Sequence, residues 1–369
     1  MTPALLSALL HLYVAWRIAP ALPGAAAPLC FAVLVAASAL LIPLSFQARR
    51  GAGGWLAWSG MLALGLFSSL FVLTLLRDAL LLLAWPFGLQ TALPLLQPWS
   101  ASAVPLAASA LTLFGLYQAR RTAQVREVEV PIHGLPAALH GFTIAQITDI
   151  HVGPTVRRGC LQAIVDTVNS LGADLVAVTG DLVDGAVHEL AEHVQPLATL
   201  RSRHGSFFVT GNHEYYSGAQ GWIAEIERLG LRVLLNEHVV LQHGAAQLVL
   251  AGVTDPGAHH FIAAHRSDPH AAAAGAPPDA GLRVLLAHQP RSAAAAALAG
   301  FDVQLSGHTH GGQFWPWNFF VPLQQPYTAG LHRLQDLWVY VSRGTGYWGP
   351  PKRLGAPSEV TRLRFVTAP

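Results

Sequence analysis

The sequence predicts an α/β domain preceded by an all-α region of four transmembrane helices, and three observations predict it. The first 119 residues hold five charged side chains, Arg17, Arg49, Arg50, Arg77 and Asp78. From Arg120 onward, short apolar runs alternate with segments of helical spacing, which is the pattern of strands and helices packed in layers. Clusters of Asp, Asn and His follow directly on those apolar runs. A length of 369 residues also suits two units better than one core. The expected boundaries are 1–120 for the membrane region, 121–140 for a linker and 141–369 for the α/β domain.

About 20 apolar residues are needed to cross a bilayer as a helix, because backbone groups left unpaired in hydrocarbon are costly. Four stretches qualify: Pro3 to Ile18, Ala25 to Phe46, Trp55 to Trp85, and Ala101 to Ala119. A cleaved signal peptide is disfavoured for the first, which lacks a basic residue before its apolar run and a small-residue cleavage site after it. Pro86, Pro94, Pro98 and Pro105 predict a non-helical or re-entrant connection from Ala84 to Pro105, with a fifth span as the alternative. Four spans put both termini on one side together with Arg49, Arg50, Arg120, Arg121 and Arg126, against Arg17 opposite. The positive-inside rule then makes that side, and the α/β domain, cytoplasmic. Adjacent residues point about 100° apart on a helix, so Arg77 and Asp78 are expected to snorkel near a span end rather than form an intramembrane pair.

The net charge of +2 comes from few charges, with no basic stripe interleaved with aromatics, so no nucleic-acid partner is expected. Cys30 and Cys160 give neither a disulfide framework nor a zinc knuckle and read as packing residues.

Within the α/β domain, strands are predicted at Gly141 to Thr148, Asp174 to Val178, Ser206 to Thr210, Gln247 to Val253, Arg283 to Ala287, Asp302 to Leu305, Leu337 to Val341 and Thr361 to Val366. Helices are predicted at Cys160 to Leu171, Val187 to Leu200 and Gly221 to Leu229. Ala271 to Ala280, rich in Ala, Pro and Gly, reads as a loop.

Five polar clusters sit just past predicted strands, where open α/β sheets bind their ligands. They are Asp149-Ile150-His151, Gly180-Asp181-Leu182-Val183-Asp184, Gly211-Asn212-His213-Glu214, His288, and Gly307-His308-Thr309-His310. In an extended segment, residues two apart project to one side, so Asp149 with His151, and His308 with His310, can approach one ion. Glycine before Asp181, Asn212 and His308 permits tight turns and close approach of backbone to an ion or phosphate. Oxygen and imidazole ligands suit Mn, Fe, Zn or Co. His259, His260, His265 and His270 lie outside these clusters; solvent is the favoured place for them, with the lip of a substrate site as the alternative. Arg343 and Arg353 flank a glycine turn, with phosphate contact and plain surface placement both open.

The series D-x-H, G-D-x-x-D, G-N-H-[DE], H and G-H-x-H, complete and in order, resembles the calcineurin-like metallophosphoesterase superfamily over Phe142 to Val366. Gly344-Thr345-Gly346 and Ala356-Pro357-Ser358-Glu359-Val360 further resemble its bacterial membrane-linked branch. The resemblance implies a two-sheet β-sandwich flanked by helices. It implies two metal ions, one held by Asp149, His151 and His310, the other by Asn212, His288 and His308, with Asp181 bridging. It also implies a catalytic His213 that protonates the leaving group while a hydroxide bridging the metals attacks phosphorus. Asp184 and Glu214 are expected behind these groups, Asp184 fixing an imidazole or water and Glu214 orienting His213. The expected substrate is a phosphomonoester, phosphodiester or pyrophosphate, lipid-linked or otherwise close to the lipid bilayer. A pyrophosphatase acting on a precursor such as UDP-diacylglucosamine is one alternative, and a noncatalytic metal-binding scaffold is another. A transporter or sensor built from the helices is disfavoured by their few buried polar residues.

Overall fold

In the computed structural model, residues 3–48, 54–84, 86–88 and 90–368 are described, and the chain divides into two compact units. The first comprises Met1–Arg120 together with Gly349–Leu354. Its helices are α1 (Pro3–Ile18), α2 (Ala26–Ala48), α3 (Gly54–Leu83) and α4 (Leu93–Arg120), each long and apolar enough to cross a membrane. Arg49, Arg50 and Trp85 lie outside the described residues.

Two expectations for this unit are corrected. The stretch from Ala84 to Pro105 is largely helical, since α4 starts at Leu93 and carries Pro98 and Pro105 inside it. Prolines are tolerated in apolar helices when neighbouring groups satisfy the freed carbonyls. Arg77 and Asp78 do not snorkel. Asp78 accepts from Arg17 Nε and Tyr13 Oη, both at 2.7 Å, while buried Arg77 donates to Ser100 Oγ at 3.0 Å and to Asp78 at 3.3 Å. The carboxylate is thus matched by two guanidiniums from two helices. A second polar cluster joins Gly349–Leu354 to the helices. Lys352 Nζ donates to the Gly65 carbonyl, Ser69 Oγ and Thr112 Oγ1, and Gly115 leaves the room its stem requires, since a Cβ there would meet Lys352 Cγ at 2.6 Å. Arg353 also belongs here and is buried, its N–H donating to the Gly115 carbonyl, whereas Arg343 in the second unit pairs with Glu359.

The second unit, Arg121–Trp348 with Gly355–Pro369, is two six-stranded mixed sheets flanked by helices. In chain order it runs β1 (Gln124–Ile132), β2 (Thr143–Ile147), α5 (Arg158–Ser170), β3 (Leu175–Val178), α6 (Val187–Val194), β4 (Ser206–Phe208), α7 (Asn212–Tyr216), α8 (Ala219–Arg228) and β5 (Arg232–Val233). It continues with β6 (Glu237–His243), β7 (Ala246–Gly252), α9 (Pro269–Ala273), β8 (Leu282–Leu286), α10 (Ala293–Leu298), β9 (Val303–Ser306), β10 (Gly330–Leu334), β11 (Leu337–Val341) and β12 (Glu359–Thr367). The sheet orders are β1-β12-β2-β3-β4-β5 and β10-β11-β9-β8-β7-β6. The stretch 121–140, expected as a linker, instead supplies β1, which pairs in parallel with β12; its alternation of Val with charged residues marks an edge strand with one wet face.

Between the sheets, Ile144, Leu175, Ala177 and Phe207 from one meet Leu248, Leu250, Val284, Leu286, Val303 and Leu305 from the other. Alternate residues of the second sheet, Ala251, Leu285 and Val339 among them, form a further core with Ala293 and Ala296 of α10. Strands buried on both faces read as unbroken apolar runs, which is why these were visible in the sequence. Strands β2, β3 and β4 run parallel to one another, as do β7, β8 and β9, so each set carries its carboxyl-end loops at one edge.

Candidate metal centre

Six loops leave those parallel strands, and five hold the polar clusters picked out in the sequence: Asp149 and His151 after β2, Asp181 and Asp184 after β3, Asn212 and His213 after β4, His288 after β8, His308 and His310 after β9. The sixth loop, after β7, holds Asp255, which sequence reading missed. Asp255 is buried, accepts from Gly257 N and Gln289 Nε2 at 2.7 Å each, and burial raises its pKa above the usual carboxylate value. The rule that found the other five, polar side chains directly past a predicted strand, would have found it too.

Asp149, His151 and His310 bring one ligand atom each within 4.8 Å of the others, and so do Asp181, His288 and His308. His151 Nε2 stands 3.0 Å from His310 Nε2, and His288 Nε2 stands 3.2 Å from His308 Nδ1. Asp181 Oδ2 lies 3.2 Å from His288 Nε2 and 3.9 Å from His151 Nε2, so this carboxylate borders both groups. His288 Nδ1 sits 2.8 Å from the Thr179 carbonyl, which can only accept; that nitrogen therefore carries a proton, and Nε2 points inward at Asp181. Asn212 Oδ1 is buried without a hydrogen-bond partner. Imidazole nitrogens facing each other, two carboxylates and an orphaned amide oxygen are a donor set that fits cations.

The backbone differs from the extended geometry assumed for the D-x-H and H-x-H pairs. Asp149, His151, Asp181, His308 and His310 all have positive φ, between 51° and 70°. Left-handed backbone at residues with a Cβ costs of order 1 kcal/mol or more each and persists where the surroundings enforce it, commonly at functional sites. Here the enforcement is visible: both Asp149 carboxylate oxygens accept from His308 N, at 3.0 and 2.9 Å, and Asp181 Oδ1 accepts from His213 N at 2.9 Å. The glycines are required by space. A Cβ on Gly307 would lie 2.1 Å from Asp149 Oδ2, and one on Gly211 would lie 2.2 Å from Asp181 Oδ1.

Of the two supporting carboxylates, Asp184 fixes imidazoles as expected, whereas Glu214 does not orient His213. Asp184, not Glu214, meets His213: its Oδ1 accepts from His213 Nδ1 at 2.6 Å and from His151 Nδ1 at 3.1 Å. Burial opposes ionisation of Asp184, yet the two imidazoles hold it well below the usual carboxylate range. Burial also disfavours a charged His213, but Asp184 and Asp181 outweigh it and raise its pKa to about 9. Glu214 instead accepts backbone N–H groups of Gly211, Asp181 and Leu182, clamping the loops after β3 and β4 together, and burial with Asp181 nearby pushes it up to about 7. In chain order Glu214 is three residues past Gly211, a capping-box spacing that sequence reading overlooked.

A cleft of about 640 Å³ opens beside Asn212 and His308, walled by Tyr215, Tyr216, Phe261 and Arg291. His259 and His260, expected in solvent, line it, and His265 bonds the Tyr215 hydroxyl at 2.8 Å. Tyr216 and Trp348 meet the His213 ring edge-on, with centroids 5.2 and 5.9 Å away.

Comparison with known proteins agrees with this arrangement. The profile of the Calcineurin-like phosphoesterase family matches residues 142–312. A "Transmembrane protein with metallophosphoesterase domain" from Bos taurus is 40% identical over 318 residues, covering 81% of this chain and 70% of its own, and one of the same name from Danio rerio is 38% identical over 261 residues, 69% of this chain and 60% of its own. An "Uncharacterized metallophosphoesterase" from Helicobacter pylori is 34% identical over 263 residues, 68% of this chain and 66% of its own. With two mixed sheets, clustered metal-ligating side chains at their strand ends and relatives at this level of identity, the chain belongs to the calcineurin-like metallophosphoesterase family.

Proposed function

We propose that this protein is a membrane-anchored, metal-dependent hydrolase that cleaves a phosphomonoester, phosphodiester or pyrophosphate bond in a membrane-associated substrate. The observation that carries the reading is the pair of three-residue groups bordered by one carboxylate, with the orphaned Asn212 oxygen beside the second. Asp149, His151 and His310 would hold one ion, Asn212, His288 and His308 another, and Asp181 would reach both. Bound cations of this kind neutralise charge on phosphoryl oxygens and lower the pKa of water towards neutrality.

The chain's own groups supply the rest. His213, charged through Asp184 and packed against Tyr216 of the cleft wall, donates a proton to the departing oxygen, and Asp184 fixes which nitrogen faces the substrate. His151 shares the same carboxylate oxygen, so Asp184 also orients a metal-facing imidazole. Tyr216 and Trp348 keep the His213 ring from turning. Four apolar helices anchor the unit, which raises its effective concentration towards substrates in the same bilayer. The distribution of arginines favours the cytoplasmic face of the cell membrane. The complete ligand set weighs against a noncatalytic scaffold.

The test is hydrolysis of aryl phosphomonoesters and phosphodiesters by the full chain in detergent, with Mn, Zn, Fe or Mg added singly. Metal-dependent turnover is the expected result. A chain that binds no metal under any of these conditions would overturn the reading.

A further inference from the structure

From Val303 to His332 the sequence has no Asp, Glu, Lys or Arg. The centre of that stretch folds as two short turns, Trp317–Phe319 and Val321–Leu323, that leave large apolar side chains in the open: Trp317 is 41% exposed, Phe319 67%, Phe320 52% and Leu323 80%. Trp315, the next aromatic upstream, is 36% exposed. Burying one such side chain fully is worth about 1.5–3 kcal/mol, so five exposed within nine residues differ from the scattered apolar residues of an ordinary surface.

Three observations say what covers them. Aromatic side chains without acidic neighbours are the composition that settles at the boundary between lipid headgroups and acyl chains. Arg291 edges the segment, its guanidinium donating to the Gln324 carbonyl at 3.1 Å and its backbone N–H to Gln325 Oε1 at 3.2 Å, which sets one cation where anionic headgroups would meet it. The segment is also tied to a part of the chain that packs with membrane-length helices. Gln313 holds Trp348 at both backbone N–H and carbonyl, at 2.9 Å each, and Trp348 immediately precedes Gly349–Leu354, which belongs to the helical unit. We propose that Phe314–Leu323 seats in the headgroup region of the bilayer that α1–α4 span. Arg291 both walls the cleft beside His308 and bonds Gln324 and Gln325 at the end of this segment, so the cleft then lies near the membrane surface, where a phosphate carried on a lipid headgroup would reach it without leaving the bilayer. The docking rests on the helices being membrane spans, and the choice of a lipid phosphate rests also on the hydrolase reading.

The test uses the full chain in nanodiscs of phosphatidylcholine and phosphatidylglycerol, with Cys30→Ala and Cys160→Ala as background. A nitroxide is placed in turn at Phe320→Cys, Leu323→Cys, Leu298→Cys and Val33→Cys, the third being an exposed site elsewhere in the second unit and the fourth an exposed site on α2. The reading is collision with oxygen, which concentrates in lipid, against collision with a water-soluble nickel chelate. The labels at 320 and 323 are expected to favour oxygen several-fold more than the label at 298. Labels at 320 and 323 as open to nickel as that at 298 overturn the docking, provided the label at 33 favours oxygen. A label at 33 that meets nickel overturns the proposal through the spans themselves. Neither outcome depends on turnover, so failure of the hydrolase reading is seen separately in the aryl phosphate assay.

Discussion

The two units treat buried polar groups in opposite ways. Among the helices, Asp78 meets Arg17, Arg77 and Tyr13, groups that donate to it, and Lys352 meets three oxygens. At the strand ends of the second unit, groups of one kind are held against each other: two pairs of imidazole nitrogens near 3 Å, carboxylates from separate loops, and an amide oxygen with no partner. A closed network stabilises a packing arrangement, since each group repays the desolvation of its partner. Groups held facing each other at a cost, on backbone with positive φ at five of the positions, are preorganised for something that binds between them. Mutations should separate the two kinds of network.

The largest effect is expected for Asp181→Ala. It removes the carboxylate that borders both groups, so metal content measured on the purified chain should fall and aryl phosphate turnover should drop by on the order of a thousandfold or more. A variant with unchanged metal content would break the comparison at its strongest point. His213→Ala comes next: metals stay bound, and turnover of substrates with poor leaving groups falls by about 10²–10⁴-fold, less when the leaving group is a nitrophenolate. Metal loss in this variant would move His213 among the ligands. Asp184→Asn should cost about 10–100-fold, because it acts through the orientation of His213 and His151. The smallest effect is expected for Asp78→Ala, which strips the helical network of its carboxylate. It should lower the stability of the full chain in detergent by about 1–3 kcal/mol, read by thermal unfolding, while metal content and turnover hold.

How much of this was legible in the sequence follows from the same physics. Strands buried on both faces leave unbroken apolar runs, so β2, β3, β4, β7, β8 and β9 were visible, and with them the loops that carry Asp149, Asp181, Asn212, His288 and His308. Strands β1, β6 and β10 alternate wet and dry faces and carry charged or polar residues, so their signal was weak, and β1 passed for a linker. The partner of His213 was not legible because Asp184 reaches it from another strand, 29 residues away in sequence, whereas the adjacent Glu214 is turned back to cap its own loop. Prolines in α4 misled because the rule that breaks helices in water weakens among apolar helices. The Arg77–Asp78 pairing failed as a local argument for a related reason: the residue that completes it, Arg17, lies 61 positions from Asp78.

The most direct test of the central claim is to strip the full-length chain of metal with a chelator, assay aryl phosphate hydrolysis, and assay again after adding back Mn, Fe, Zn or Co. Turnover that vanishes on stripping and returns with at least one of these ions, at two ions per chain, is the predicted result. Turnover that persists in the stripped chain would contradict it.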